Sequence, residues 1–121
     1  MIVQSTFASA VTSDGEIEID TMASALRVTR LELASAAGLS RDAVTKTSRK
    51  SSRATQARLR DVIEILRRVQ GWAGSAAQAY AWYRAQPLPS FGDRTAEDLV
   101  KEGRAEAVKT YLSRIAVGGH A

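Results

Sequence analysis

At 121 residues the chain has the size of one ordinary domain, which excludes a large multidomain enzyme and leaves a single cooperative unit or two small helical lobes sharing a core. With 45% hydrophobic residues, 25% charged residues and two prolines it can build a core and is not composed like a disordered segment. Cysteine is absent and His120 is the sole imidazole, which excludes disulfides and thiolate sites, so neither a metal nor a cofactor is expected; the net charge of +4 is modest and informs mainly through its distribution.

Residues 1–15, rich in Ser, Thr and Ala and closing on the turn signal Asp14-Gly15, read as a flexible or partly ordered arm. The alternation Glu16-Ile17-Glu18-Ile19 fits either a short strand or the entry to a first helix ending near Arg27, and the helix is favoured. Acidic residues Asp14, Glu16, Glu18 and Asp20 crowd this end without a cation before residue 25. No run of about 18 apolar residues occurs and the start lacks the pattern of a signal peptide, so a soluble, cytoplasmic protein with no membrane partner is expected.

Thr29 and Glu32 have capping-box spacing and predict a helix from Arg30, with Leu31, Leu33, Ala34 and Ala37 as its apolar face and Gly38 ending it. Ser40 caps the next helix, Arg41 to roughly Arg49, with Asp42 suited to its first turn. Two short helices around a Gly-containing turn form the pattern of a helix-turn-helix, whose second helix enters the DNA major groove. Ala34, Gly38 and Val44 fall where that motif needs a small residue, a turn residue and a branched core residue, and Leu33 and Leu39 add core contacts. Arg41, Asp42, Thr45 and Lys46 are then the side chains expected at base edges, and Ser40, Ser48, Arg49, Lys50 and Arg53 those at phosphates. The competing reading is an ordinary helical hairpin with a solvated basic face.

Ser and Thr at 45–55 mark a loop near Lys50 to Ala54. From Thr55 to Gly71 the residues Leu59, Val62, Ile63, Leu66 and Val69 recur at helical steps and predict a strong amphipathic helix. Gly71 and Gly74 are expected to loosen the chain around Trp72 before a helix from Ser75 to Ala85, which Pro87 and Pro89 stop. The Pro-Leu-Pro stretch is extended, with Phe91-Gly92 tucking a ring beneath it. Thr95 and Asp98 cap a short helix ending near Gly103, and a last helix runs from Ala105 to Ile115 through Val108, Tyr111 and Leu112. The fold class is all-α, an Xre/Cro-like helix-turn-helix in region 16–70, for DNA, packed with a small C-terminal helical domain over 71–121, which on its own residues is only a dimerising or packing element.

The landmarks Trp82, Pro87, Phe91-Gly92, Arg94-Thr95, Asp98-Leu99, Gly103, Val108, Leu112, Ile115 and Gly118 carry a resemblance. Residues 82–118 resemble the toxin-binding domain of the MbcA/ParS/Xre antitoxin family, whose pattern runs Trp, Pro, an apolar-Gly step, Arg-Thr-Pro, Asp-Leu, Gly, then Val, Leu, Ile and Gly. Ala96 departs from it by replacing the proline, a change that the first position of a helix accepts. The resemblance implies an antitoxin whose partner is a RES-domain toxin that consumes NAD or transfers ADP-ribose. It implies that the C-terminal end blocks the toxin's active-site cleft, a role that falls to Val117, Gly118, Gly119, His120 and Ala121 with Arg114 nearby, while Trp82 and Phe91 are candidate toxin contacts.

Three other functions compete. A stand-alone dimeric regulator would place two recognition helices about 34 Å apart on operator DNA, and the antitoxin reading shares that homodimer. An enzyme finds no Gly-x-Ser-x-Gly nucleophile motif and no Gly-rich phosphate loop, and the pairs Glu97-Asp98 and Glu102/Glu106 are of a kind that surface helices carry routinely. Membrane binding through Arg58 to Arg68 would take the apolar face that so small a core needs.

Overall fold

The computed structural model describes residue 7 and residues 9–118, and among these no strand forms. The β pairing present there consists of two isolated antiparallel bridges, Val11 with Ile17 and Leu88 with Arg94. The α-helices follow as α1 (Ile19–Leu26), α2 (Arg30–Ala37), α3 (Arg41–Thr45), α4 (Thr47–Lys50), α5 (Arg53–Ala73), α6 (Ala76–Ala85), α7 (Ala96–Lys101) and α8 (Ala105–Gly118), with a 3-10 turn at Pro89–Phe91.

The Glu-Ile alternation resolves into both of its readings. Ile17 is bridged to Val11, while Ile19 opens α1, capped by the Glu18 carboxylate accepting from the Asp20 amide at 3.1 Å. Both isoleucines are buried. The side-chain amide of Gln56 completes the pairing that a strand would have supplied to Ile17. Its Oε1 accepts from the Ile17 amide at 2.7 Å and its Nε2 donates to the Ile17 carbonyl at 3.2 Å. A buried backbone so satisfied needs no sheet. Phe7 and Ala10, from the stretch read as an arm, are fully buried.

The long helix α5 organises the rest. Leu59, Val62, Ile63, Leu66 and Val69 are all buried as their spacing predicts, and Ile65 joins them. Each such side chain contributes about 1.5–3 kcal/mol relative to exposure. The helix begins two residues earlier than its apolar pattern, because Ser52 caps it by accepting from the Thr55 amide at 3.2 Å. It also runs through Gly71 to Ala73 and stops at Gly74, so the loosening expected around Trp72 does not occur. Tolerating one helical glycine costs only about 1 kcal/mol. One buried cluster takes in residues of α1, α2, α5, α6, α7 and α8, so the chain on both sides of residue 70 shares a core. Leu31 is the exception to the predicted core: it is 41% exposed, and Ala36 takes its place on the inner face of α2.

Polar contacts fasten α8 to α5. Lys109 is buried and its Nζ meets Asp61 at 2.7 Å, Glu106 at 3.0 Å and Glu64 at 3.1 Å. Arg68 donates to the Lys109 carbonyl at 3.0 Å and to Ser113 Oγ at 3.1 Å. Burial works against the lysine charge, but the hydrogen bonds to Asp61, Glu106 and Glu64 outweigh it and hold its pKa above the ordinary lysine range. Burial also pushes the Tyr83 phenol well up.

For both groups the folded state keeps its proton where the unfolded chain releases it. Folded molecules then bind more protons, so stability is fully present below the ordinary pKa values and declines above them. Urea midpoints are expected to fall as the pH is raised through about 10, the ordinary tyrosine value. Tyr83→Phe should make that fall shallower, and an unaltered slope in the variant would place the alkaline sensitivity elsewhere.

Candidate functional site

The segment from α2 to α3, read from sequence as a helix-turn-helix, is built locally. Thr29 and Glu32 form the capping box, with the Thr29 amide donating to Glu32 Oε1 at 2.8 Å and the Glu32 amide to Thr29 Oγ1 at 3.0 Å. Gly38 ends α2 in the left-handed conformation at φ 70°, and Ser40 Oγ caps α3 by accepting from the Ala43 amide at 3.2 Å. Ala34 and Val44 are buried and Leu39 is half-buried, as the motif requires.

The second helix is shorter than its sequence suggested. It was expected to reach Arg49, but α3 ends at Thr45, Lys46 is extended at φ −89° and ψ 124°, and α4 is a separate single turn. The Thr45 hydroxyl donates to the Arg41 carbonyl at 3.0 Å, the back-bonding by which Thr weakens a helix. The predicted loop at 50–54 is likewise shorter, since Arg53 already opens α5. Ser40, Arg41, Asp42, Thr45, Lys46, Ser48, Arg49 and Arg53 are exposed and Lys50 is half-buried, so the nine candidates lie along one surface segment. Among the described residues Arg41, Lys46, Arg49 and Arg53 have no ion pair, whereas Arg58 and Arg60 are drawn into the fold by the carbonyls of Ala37 (2.8 Å) and Gly15 (3.2 Å).

The other candidate surface lies on α6, the 3-10 turn and α8. Trp82 is half-buried and meets Trp72 edge-on at 5.8 Å, leaving Trp72 44% exposed. Leu88, not Phe91, is the residue tucked beneath the Pro-Leu-Pro stretch: it is fully buried and its amide donates to the Arg94 carbonyl at 2.9 Å. Phe91 turns outward to half-burial, with Tyr111 edge-on at 6.0 Å and the Arg104 guanidinium 5.5 Å above its ring. Phe91, Tyr111, Thr110, Glu106 and Arg114 border an open groove of about 370 Å³. Arg114 is exposed, and α8 extends past the expected Ile115 to include Val117 and Gly118; Gly119, His120 and Ala121 lie outside the described residues. Sequence reasoning gives Tyr111 only a core role, while Trp72, Trp82 and Tyr83 read as core residues, any exposed one being a natural interface anchor; Trp72 is the exposed one.

The capping of α7 by Thr95 and Asp98, at 3.1 Å in both directions, places buried Ala96 at the first helical position. Arg84 and Lys101 each reach the buried Glu97 carboxylate at 3.0 Å, and Arg94 pairs with Glu102. Residues 72–118 match the family model of the antitoxin Xre/MbcA/ParS C-terminal toxin-binding domain. The match begins at Trp72, ten residues ahead of the landmarks read from sequence, and takes in the Trp72-Trp82 pair. It supports an antitoxin role for the chain and implies a toxin as partner. Comparison of the chain with curated proteins and with solved structures gives no match. Among the described residues no helix is long and apolar enough to cross a membrane, and no group of three or more His, Cys, Asp or Glu side chains is placed to hold a metal ion.

Gly38 sits between α2 and α3, where α5 and α7 pack against the turn. A Cβ there would stand 2.8 Å from Arg58 Nη1 and 3.1 Å from the Lys101 Cα. Gly38→Ala is therefore expected to cost on the order of 2–4 kcal/mol, from the left-handed backbone and the clash together. Gly92, at φ 67° with nothing within 4 Å, supplies the control. Gly92→Ala should lose only the backbone part, about 1 kcal/mol. Chemical denaturation of the two variants measures the difference, and equal losses would remove the steric argument.

Proposed function

We propose that the chain is the antitoxin of a toxin–antitoxin pair whose toxin is a RES-domain enzyme that consumes NAD or transfers ADP-ribose. It neutralises that enzyme by covering the active-site cleft with the C-terminal end of α8 and the residues after it. The observation that carries the reading is the toxin-binding-domain match over 72–118, ending where α8 ends. Arg114, exposed beside the Phe91–Tyr111 groove, is suited to a first contact with an acidic or phosphate-bearing surface. Gly118 and Gly119 allow the close backbone approach that a narrow cleft demands.

The same chain acts as a homodimer on operator DNA through region 16–70, with Arg41, Asp42, Thr45 and Lys46 toward the bases and Ser40, Ser48, Arg49, Lys50 and Arg53 toward phosphates. The exposed cations of this segment, which lack internal partners, support that reading. The five-residue α3 limits base contacts to its first turn and the residue after it.

Co-expression with the product of the neighbouring reading frame tests the first part. The full chain should form a stable complex and restore growth and cellular NAD, and a form ending at Val117 should lose the rescue. Rescue by that truncated form would move inhibition away from the C-terminal end, and absence of both complex and toxicity would leave a dimeric DNA-binding regulator. The second part predicts that Arg41→Ala with Lys46→Ala abolishes the mobility shift of a duplex taken from upstream of the reading frame, each lost contact being worth about 1–3 kcal/mol. A shift equal to wild type would refute the assignment.

A further inference from the structure

The last turn of α2 leaves four carbonyls without helical partners, as every helix does. The Ala34 and Ser35 carbonyls accept from Leu39 N at 2.8 Å and Gly38 N at 3.2 Å, the local closure that Gly38 makes available. The Ala37 carbonyl accepts from Arg58 Nη1 of α5 at 2.8 Å. The Ala36 carbonyl accepts from the Tyr83 hydroxyl of α6 at 2.7 Å, a contact spanning 47 positions of sequence.

Resting on the DNA-binding reading above, we infer that Tyr83 is a positioning residue for DNA contact: from inside the toxin-binding region it holds the turn that aims Arg41 and Lys46. The phenol is fully buried, and its ring stacks on Tyr80 at 6.3 Å. Burial keeps the hydroxyl in its neutral donor form. Behind the turn, the Lys101 backbone closes the space at Gly38, and Lys101 is itself tied through Glu97 to Arg84 of α6. The turn between α2 and α3 is thus seated on α6 and α7, the elements that carry the toxin-binding match, while its exposed side faces away with the cations. A phenylalanine at 83 would preserve the ring packing and leave one buried carbonyl without a donor, and that deficit would fall on Ala36 to Ser40.

The test compares Tyr83→Phe with Tyr80→Phe in the full chain, since Tyr80 belongs to the same ring stack but its hydroxyl makes no hydrogen bond to α2. Binding to the upstream duplex and amide hydrogen exchange are measured on each. Tyr83→Phe should bind roughly tenfold more weakly, the factor that corresponds to one lost buried hydrogen bond. Exchange should quicken at Gly38, Leu39 and Ala43 and stay unchanged at Val62 and Leu66, with Tyr80→Phe showing neither effect. Wild-type affinity in Tyr83→Phe overturns the inference, and so does faster exchange throughout the core, which would make Tyr83 merely structural. If the wild-type chain does not bind the duplex, the DNA-binding reading fails separately, and the exchange pattern still decides whether Tyr83 holds the turn.

Discussion

The two carbonyls at the end of α2 govern how this chain is assembled. A helix only two turns long contributes little stability of its own, since nucleation is costly and most helical stability comes from packing. Helix α2 is held by what surrounds it: Tyr83 from α6 and Arg58 from α5 take its last carbonyls, and the Lys101 backbone closes over Gly38. A buried carbonyl left without a donor costs about 1–3 kcal/mol, comparable to burying one of the aliphatic side chains of α5. The segment from α2 to α3 is therefore not a free-standing module. It completes its hydrogen bonding against α5 and α6.

The same division explains where the charge lies. Arg58, Arg60, Arg68, Arg84 and Lys109 are engaged within the chain, by backbone carbonyls or by the carboxylates Asp61, Glu64, Glu97 and Glu106. At the buried members, Lys109 and Glu97, removing the partners would leave a charge partly desolvated. The segment from Arg41 to Arg53 contains cations without such partners, and it is the stretch where Ser and Thr replace the aliphatic residues that a core would require. Net charge alone conveys none of this, since it counts the inward and outward cations equally.

What could be read from the sequence was short-range chemistry. Both capping boxes, Thr29 with Glu32 and Thr95 with Asp98, form as spaced, because a cap involves residues three apart and little else. The 3.6-residue pattern of α5 survives for the same reason. Errors arose where a long-range partner decided the outcome. Gln56 carries no signal in the helical pattern, yet it is buried and pairs with Ile17, 39 positions away. Leu31 reads as core, yet the face of α2 that meets the body of the protein is the one carrying Leu33, Ala34, Ala36 and Ala37. Tyr83 reads as an aromatic core residue, which it is, but its hydroxyl contact with Ala36 leaves no trace in spacing. At the candidate site, exposure of Arg41, Lys46, Arg49 and Arg53 agrees with the motif, whereas the break at the extended Lys46 left no mark in the spacing.

The anchoring of α8 bears on how its C-terminal end would meet the partner of the proposed reading. Lys109 and Arg68 grip the helix from Glu106 to Ser113, and the apolar residues Val108 and Leu112 are buried between those contacts. Arg114 stands one residue beyond the last of these anchors and is exposed. Binding is weakened by each side chain and backbone unit that must be ordered on association. A helix already fixed at its base presents its final turn with much of that ordering complete. Carrying the helix past Ile115 to Gly118 extends this preordered length. The network around Lys109 thereby fixes the base of the helix whose last turn the proposed reading presents to a partner.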